Sequence, residues 1–298
     1  MSRFVPVVAT VTQVERLSPG FVRITFATPP GFGGSGPVWD QRIKVLVPGT
    51  AGVFRHDGPD WYEVWSALPE AERGAMRTYS IRSLAQTAQC ATVVVDFVLH
   101  LAHGATGPAS AWAASAAVGD QVTLVGPSGG GERVGVEFAP GGAERLVLAG
   151  DETAAPAMAR ILEDLPRDAC GVALIEVPTA ADRVPIDAPS GFEVTWLPRE
   201  GADHGALLAP RVLSLAPGDG GVGGVVAGED PEEIWETPTY SGLGEELPGA
   251  VASSGTYWWI AGEAGVVAGL RRTLVRDHGI ERCRIAFMGY WKRGRAQG

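Results

Sequence analysis

The chain has 298 residues, and its 34 acidic residues against 24 basic ones give a formal net charge of −10. Hydrophobic residues make up 45% and charged residues 19%, which is the composition of a globular protein, and the length predicts two domains. The acidic balance excludes general binding to nucleic acid or to an anionic membrane surface, although it says nothing about local positive patches.

The first half of the chain predicts short β-strands separated by glycine, proline and aspartate turns. Because no long helix separates the strands, we predict a six-stranded antiparallel β-barrel over residues 1–140, closed so that no strand edge is exposed. One helix interrupts it near Pro108–Ala117. The predicted strands are Val7–Val14, Phe21–Thr28, Ile43–Val47, Met76–Ile81, Thr92–Leu99 and Gln121–Val125.

From residue 141 to residue 298 strands alternate with helices, which predicts an α/β domain with a parallel sheet built from right-handed crossovers. One helix begins near Ala154 and ends before Pro166, and a second covers Glu263–His278. A Gly-rich acidic segment, 217–256, predicts a surface loop that Trp235 and Tyr240 could attach to the domain. The predicted strands are Leu146–Ala149, Gly171–Val177, Phe192–Leu197, Trp258–Ala261 and Arg284–Phe287.

The cysteines Cys90, Cys170 and Cys283 lie far apart in the sequence and form no CxxC pair. We therefore expect three reduced thiols. We do not expect a zinc ribbon, a four-thiolate iron–sulfur cluster or a disulfide framework. The opening residues lack an apolar leader, and no apolar run is long enough to span a bilayer. We expect a cytoplasmic protein.

The segment from Arg77 to Arg82 combines an aromatic ring with guanidinium groups. Alternation along a strand places Arg77 and Tyr79 on one face and Ser80 and Arg82 on the other. Such a set suits a planar ligand with phosphates, because the ring stacks and arginine pairs with phosphate oxygens. The alternative is an ordinary strand with exposed arginines and a core tyrosine.

A second segment runs from Asp96 to His100 and leads into a helix at Pro108. The free amides at the start of this helix predict a pyrophosphate site, with the Ser110 hydroxyl as a further donor. The alternative is a plain helix capped by Thr106. A lone histidine such as His103 is more often structural than catalytic.

Two further motifs, Gly150–Pro156 and Gly262–Gly265, each follow a strand and open a helix. In open α/β sheets this edge is where nucleotides bind, so the pair favours a dinucleotide site. Neither motif is a G-x-G-x-x-G fingerprint, and the chain contains no P-loop.

Taken in order, these motifs closely resemble the siderophore-interacting proteins, which are flavin-dependent ferric-siderophore reductases of the ferredoxin–NADP⁺ reductase-like superfamily. The resemblance runs from Val7 to Arg295. It rests on the barrel followed by R-x-Y-S-x-R, D-F-V-L-H, G-P-A-S-x-W-A, G-D-E-T-A-x-P, A-G-E-A and the segment Gly289–Gly294.

The resemblance implies an FAD-binding domain at residues 1–140 and an NAD(P)H-binding domain at residues 141–298. It implies that Tyr79 stacks on the isoalloxazine ring and that Ser80, where the family often has threonine, lies near flavin N5. Arg77 would bind the pyrophosphate or ribityl region. The stretch His100–Gly107 is longer than in compact family members, so the amides that reach the pyrophosphate stay undefined. The other implied flavin-site residues are Arg82, Asp96, Val98, His100, Ala109 and Ser110.

The nicotinamide site is implied at the strand ends of the second domain. The sequence does not decide between NADPH and NADH, although Arg183 and Arg199 could meet a 2′-phosphate. Gly262 and Glu263 would border the dinucleotide, and Asp151, Glu152 and Thr153 would approach the flavin–nicotinamide junction. The other implied cofactor residues of this domain are Gly150, Ala154, Tyr290 and Trp291.

The substrate implied by the resemblance is a ferric siderophore, whose negative charge calls for a local positive site. The candidates are Arg42, Lys44, Lys292 and Arg293, with Arg295 and Arg133 as weaker ones. Surface charges that merely aid solubility are the alternative for Lys44 and Arg295. No protein metal site is expected, because the iron stays within its chelator.

We therefore predict a monomeric FAD-dependent ferric-siderophore reductase, in which a nicotinamide gives a hydride to the flavin and single electrons pass to Fe(III). One alternative is a general NAD(P)H flavin or diaphorase-type reductase with another acceptor. The other is a protein that binds the ferric siderophore without reducing it.

Overall fold

The structure, a computed structural model, describes residues 4–99, 107–128, 135–217, 235–238 and 255–294. The chain divides into two units, Met1–Val136 and Glu137–Gln297. No helix within the described ranges is both long and apolar enough to cross a lipid bilayer.

The first unit is a seven-stranded antiparallel sheet in the order β4-β3-β7-β1-β2-β6-β5. Its strands are β1 Phe4–Arg16, β2 Phe21–Thr28, β3 Arg42–Val47, β4 Ala75–Ser80, β5 Ser83–Gln86, β6 Ala91–Val98 and β7 Gln121–Pro127. Its helices are α1 Trp61–Ala67, α2 Glu70–Arg73 and α3 Pro108–Ser115.

The sheet is curled and has one more strand than the closed six-stranded barrel that we predicted. Its two edge strands, β4 and β5, are consecutive in the chain and are separated by two residues. The amide of Ile81 donates to the Gln41 carbonyl at 2.8 Å, and that of Arg82 donates to the Val94 carbonyl at 2.8 Å. The backbone therefore steps from one sheet edge to the other at these two residues, and no turn residue marks the step in the sequence.

The core of the first unit lies inside the curled sheet. Phe26 and Phe97 are fully buried there, and Ala109 and Ala113 of α3 belong to the same cluster. Trp112 of α3 lies nearly parallel to Phe26, with ring centroids 6.3 Å apart. The helix is thus held against the sheet by its small and aromatic side chains.

The inserted helices α1 and α2 were not predicted. Trp61 and Trp65 of α1 pack on Leu46 and Val125 on the other face of the sheet. The indole of Trp65 also donates to the Arg73 carbonyl at 3.1 Å. These contacts cover Leu46 on the outer face of β3. Lys44, on the same face, does not belong to this cluster.

The second unit is a six-stranded sheet in the order β10-β9-β8-β12-β13-β11, flanked by helices. Its strands are β8 Arg145–Gly150, β9 Cys170–Val177, β10 Gly191–Pro198, β11 Trp235–Glu236, β12 Thr256–Glu263 and β13 Ile285–Trp291. Its helices are α4 Ala155–Asp164, α5 Leu208–Leu213 and α6 Ala264–Arg272, which continues as a π-helical turn over Thr273–Asp277.

This sheet is mixed, whereas we predicted a parallel one. Five strands are parallel, and β11 runs antiparallel to β13. The added strand lies within the segment predicted to be a loop, and Glu236 forms a two-point ion pair with Arg271 at 2.7 and 2.8 Å. Trp235 stacks on Tyr290 with centroids 5.9 Å apart. Tyr240 lies outside the described residues.

The carboxyl ends of β8, β12 and β13 meet at one edge of the second sheet. In the ladders Gly150 pairs with Ala261, and Gly262 pairs with Gly289. A Cβ atom on Gly150 would lie 2.5 Å from the Ala154 Cβ, so only glycine fits this strand-to-helix turn. Gly262 has φ +146°, and a Cβ there would lie 2.7 Å from Asp151 Oδ2. Both glycines allow close approach of the chain at this edge.

Candidate functional site

The ladder between β3 and β4 places the predicted residues of the first unit on two faces. Arg42 pairs with Ser80 and Lys44 with Thr78, so these side chains share the outer face. Arg77 and Tyr79 alternate with them and point to the other face. One short ladder therefore carries cations on both faces and an aromatic ring on one.

Tyr79 lies half-buried against the core of the first unit. Its ring centroid is 4.4 Å from that of Phe97, with the two planes at 49°. Burial raises the pKa of the Tyr79 phenol above its ordinary value, so the ring is neutral at physiological pH. The side chain offers a neutral aromatic surface beside the guanidinium of Arg77.

Asp96 is buried between two arginines, one of which the sequence analysis missed. Arg23, directly across the ladder, binds the carboxylate at two points, 2.7 and 2.8 Å. The Nε atom of Arg82 lies 3.7 Å from the same carboxylate. Asp96 therefore orients two guanidinium groups and leaves the cluster with a net positive charge. Arg23 could be found only from the pairing of β2 with β6, which places it opposite Asp96 and which was not predicted.

The first turn of α3 follows β6 after the segment 100–106, which lies outside the described residues together with His100, His103 and Thr106. Ala109 and Ser110 are both buried in this turn, whose backbone amides have no acceptor within the helix. The Ser110 hydroxyl donates to the Val98 carbonyl at 2.9 Å. This bond corrects the expectation of a free hydroxyl donor, because the hydroxyl hydrogen is used inside the unit.

Asp151 joins the three strand ends of the second unit. Its Oδ1 accepts the amide of Thr153 at 2.9 Å and the Thr153 hydroxyl at 2.5 Å. Its Oδ2 accepts the Glu263 amide and the Trp291 indole N–H, both at 2.8 Å. Ala154, buried at the start of α4, follows directly. The carboxylate is thus satisfied by protein donors.

Glu152 points into a second buried cluster. Arg199 binds its carboxylate at two points, 2.7 and 2.9 Å, and lies 3.4 Å from Glu176. His204 Nε2 lies 3.6 Å from Glu152. Glu176 in turn accepts the amides of Gly205, Leu207 and Leu208 at 2.8 to 3.0 Å, which fixes the loop that carries His204.

This cluster changes how two predicted residues are understood. Arg199, named as a possible partner of a 2′-phosphate, is buried and engaged by two carboxylates. Arg183, the other candidate, is exposed after the short 3-10 turn Ala180–Asp182. Glu176 and His204 were not identified from the sequence, because their partners lie 23 to 52 residues away along the chain.

Two adjacent buried carboxyl groups titrate in opposite directions. Burial raises the pKa of Asp151 from 3.8 to about 6, and the charge of Glu152 acts in the same direction. Burial also acts to raise the pKa of Glu152, but His204 and Arg199 outweigh it and bring the value from 4.5 to about 2. At neutral pH both groups are therefore ionised.

The segment that follows β13 is attached at several points. Tyr290 stacks on Trp235, and its ring meets Trp259 edge to face at 6.2 Å. The Arg293 amide donates to Glu263 at 3.2 Å. The Arg293 guanidinium lies 3.2 Å from Asp203. Arg133 and Arg295, the weaker substrate candidates, lie outside the described residues.

The lysine content singles out two of the candidate cations. The chain has 22 arginines but only two lysines, Lys44 and Lys292, and both belong to the predicted substrate-binding set. The Lys44 ammonium donates to the Thr78 hydroxyl at 2.7 Å. Lysine carries a compact, strongly hydrated positive charge, and this chain has lysine instead of arginine only at these two positions.

Two family models match the chain. The one described as the siderophore-interacting FAD-binding domain matches residues 10–131, and the one described as siderophore-interacting protein matches residues 143–294. Together they cover most of both units.

Similar proteins span nearly the whole chain. An uncharacterized protein of Mycobacterium tuberculosis is 34% identical over 298 residues, covering 96% of this chain and 90% of the relative. The ferric vibriobactin reductase ViuB of Vibrio cholerae is 27% identical over 257 residues, covering 86% of this chain and 78% of the relative. The crystal structure of a siderophore utilization protein from T. fusca has a TM-score of 0.69 at 29% identity and covers 99% of this chain and 96% of that one. The two-unit fold is also that of a ferredoxin reductase, at 16% identity and TM-score 0.58.

Replacing Asp151 by asparagine tests the unusual titration of this carboxyl group. The folded protein keeps the proton up to pH about 6, whereas the unfolded chain releases it near 3.8, so folding takes up a proton between these values. The Asp151 contribution to the unfolding free energy therefore falls as the pH rises from about 4 to 6. We expect the wild-type value to fall by up to about 3 kcal/mol relative to Asp151→Asn over this range.

The measurement is urea unfolding of both proteins between pH 4 and 7, followed by tryptophan fluorescence. Asp187→Asn, at an exposed position of the same unit, corrects for the loss of one ionisable group. Parallel pH profiles for the wild type and Asp151→Asn would contradict the raised pKa.

Proposed function

The chain belongs to the siderophore-interacting protein family, and we propose that it is an FAD-dependent reductase of ferric siderophores that takes its electrons from NADPH or NADH. The observation that carries this proposal is the β3–β4 ladder. In a chain with a net charge of −10, it combines a half-buried aromatic ring and Arg77 on one face with Arg42 and Lys44 on the other.

The residues of the first unit suit an FAD. Tyr79 packs on Phe97 and is only half-buried as a residue, which fits stacking on a planar isoalloxazine. Ser80 supplies a hydroxyl on the neighbouring position. Arg77 and Arg82 are suited to phosphate oxygens, together with the amides of the first turn of α3. We assign residues 1–140 to FAD binding on these grounds.

A bound FAD would supply the redox chemistry, namely hydride acceptance from a nicotinamide and single-electron transfer to Fe(III). This reaction needs no acid–base pair from the protein. The chain's own contribution is to orient the rings, to neutralise the phosphates and to hold the substrate. Tyr79 is proposed to stack on the reacting ring. Ser80, on the other face of β4 but the last residue of that strand, is proposed to lie near flavin N5.

The second unit, residues 141–298, is proposed to bind the nicotinamide dinucleotide at the joined ends of β8, β12 and β13. Gly262 supports this role, because its φ of +146° and missing Cβ let Asp151 approach the end of β12, so that the two strand-to-helix turns meet at this edge. Glu263 caps α6 by accepting the Val266 amide at 2.9 Å, so the turn after Gly262 has a fixed shape.

The proposed substrate is an anionic ferric chelate, and each unit carries lysine and arginine side chains that are candidates for binding it. In the first unit the candidates are Arg42 and Lys44 of β3. In the second unit they are Lys292 and Arg293, which follow β13. The iron stays in its chelator, and reduction weakens its binding because hard oxygen ligands prefer Fe(III) to Fe(II). We further propose that the reaction takes place in the cytoplasm, where free thiols such as Cys90 stay reduced.

Removal of the Tyr79 ring tests the flavin site. We expect Tyr79→Ala to raise the Kd for FAD by about tenfold, because a stacking contact worth about 1.5 kcal/mol is lost. Tyr79→Phe keeps the ring and is expected to bind FAD within about threefold of the wild type. The measurement is fluorescence titration of FAD into the flavin-free protein.

Tyr62→Ala, which removes an exposed tyrosine of the same unit, is the matched control and should leave the Kd unchanged. A wild-type protein that does not bind FAD contradicts the flavoprotein proposal. Equal affinity in Tyr79→Ala and the wild type contradicts the assigned role of Tyr79.

The two lysines allow a direct test of the substrate site. With only Lys44 and Lys292 and the chain's α-amine to react, amine-specific labelling followed by mass spectrometry reports on each separately. We expect a ferric catecholate to protect both lysines. Lys44→Ala should raise the KM for the ferric chelate by about tenfold, equivalent to one charge-assisted contact, and change the nicotinamide KM less than twofold.

Arg55→Ala is the control for Lys44, since it removes an exposed cation from the same unit. Its KM for the chelate should stay at the wild-type value. Unprotected lysines together with an unchanged KM in Lys44→Ala would place the substrate elsewhere.

A further inference from the structure

The Asp151 carboxylate has no acceptor capacity left for a ligand. Each of its oxygens accepts two hydrogen bonds, from Thr153 on one side and from Glu263 and Trp291 on the other. A carboxylate has about four lone-pair sites, so these protein donors fill them. Asp151 is only 3% exposed, so it acts on the site through the residues that it binds.

Trp291 is contacted by Asp151 and by His204, which lies close to Glu152. Asp151 accepts its indole N–H at 2.8 Å. His204, which lies 3.6 Å from Glu152, meets the indole edge to face at a centroid distance of 4.9 Å. Trp291 therefore has little freedom to rotate or shift.

The residues that follow Trp291 are also held in place by hydrogen bonds. The Arg293 amide bonds to Glu263, and the Glu263 amide bonds to Asp151, so both attachments lead back to the same carboxylate. Lys292 lies between these two points. The position of its backbone is thus set by Trp291 before it and Arg293 after it.

We propose that Asp151 is a positioning residue that fixes Trp291 and, through it, the Lys292–Arg293 segment in the arrangement that binds the ferric chelate. This inference rests on the proposed function, because it assigns Lys292 and Arg293 to the substrate. It differs from a direct cofactor contact, since the carboxylate touches only protein groups.

The test uses a double-mutant cycle. Asp151→Asn keeps the size of the side chain but replaces one acceptor oxygen with an NH₂ group, and Trp291→Phe removes the indole donor while keeping an aromatic ring. We expect each change to raise the ferric-chelate KM by about fivefold to tenfold, and by more than it lowers kcat. The double variant should have a ferric-chelate KM no higher than that of the more impaired single variant, because the shared hydrogen bond can be lost only once.

A second readout does not depend on activity. Trypsin cleaves after Lys292 and after Arg293, and the mass of the product identifies each cut. We expect Asp151→Asn and Trp291→Phe to lose the terminal residues at least about fivefold faster than the wild type. Asp187→Asn, an exposed change of the same kind, should match the wild type in both readouts. Trp291→Phe keeps the test valid if Asp151→Asn does not fold.

The outcomes separate this inference from the proposed function. Faster cleavage together with a raised KM supports the positioning role. Faster cleavage with an unchanged KM, or a raised KM with unchanged cleavage, overturns it, because the chelate would then not depend on the restrained segment. If the wild type reduces no ferric chelate, the proposed function fails and the substrate role of Asp151 fails with it, whatever trypsin shows.

Discussion

Two buried carboxylates next to each other in the chain, Asp151 and Glu152, determine how the second unit is built. Ionised groups out of water are costly unless hydrogen bonds and opposite charges compensate them. Here the compensation comes from distant parts of the chain: Glu263 and Trp291 for one carboxylate, and Arg199 for the other. The bonds of Asp151 join the ends of β8, β12 and β13, and this edge is where we propose that the dinucleotide binds.

The first unit uses a buried carboxylate in the same way. Asp96 holds Arg23 at two points and lies close to Arg82, so a single negative charge orients two positive ones. Guanidinium groups held in this way lose little freedom when they meet a phosphate. The strongly acidic chain thus contains positive sites whose geometry is set by its own acidic residues.

Much of this organisation could be predicted from the sequence. The alternating strands, the change to strand–helix repeats and the order of the motifs led to the family and to the two-unit fold. The extra strands could not be predicted in the same way. Only two residues separate β5 from β4 and neither is a turn residue, and β11 is two residues long, so neither strand has a pattern that stands out.

The partners of the site residues were harder to predict than their positions. The hydroxyl of Ser110 was expected to be free, but it bonds to a backbone carbonyl 12 residues earlier. Arg199 was expected to face a ligand, but its partner Glu152 lies 47 residues away in sequence. A local pattern shows which side chains could bind a phosphate, whereas competition from within the protein depends on tertiary contacts. For this reason we propose that Asp151, which was expected to bind a cofactor, instead positions Trp291.

The most direct test of the proposed chemistry is the yield of Fe(II) under anaerobic conditions. The FAD-loaded protein is mixed with a ferric catecholate, NADPH or NADH and a ferrous-specific chelator, and both Fe(II) and oxidised nicotinamide are counted. Since a hydride carries two electrons and each Fe(III) takes one, the account predicts two Fe(II) for each nicotinamide oxidised. Nicotinamide oxidation without Fe(II), or a bound ferric chelate that is never reduced, would contradict it.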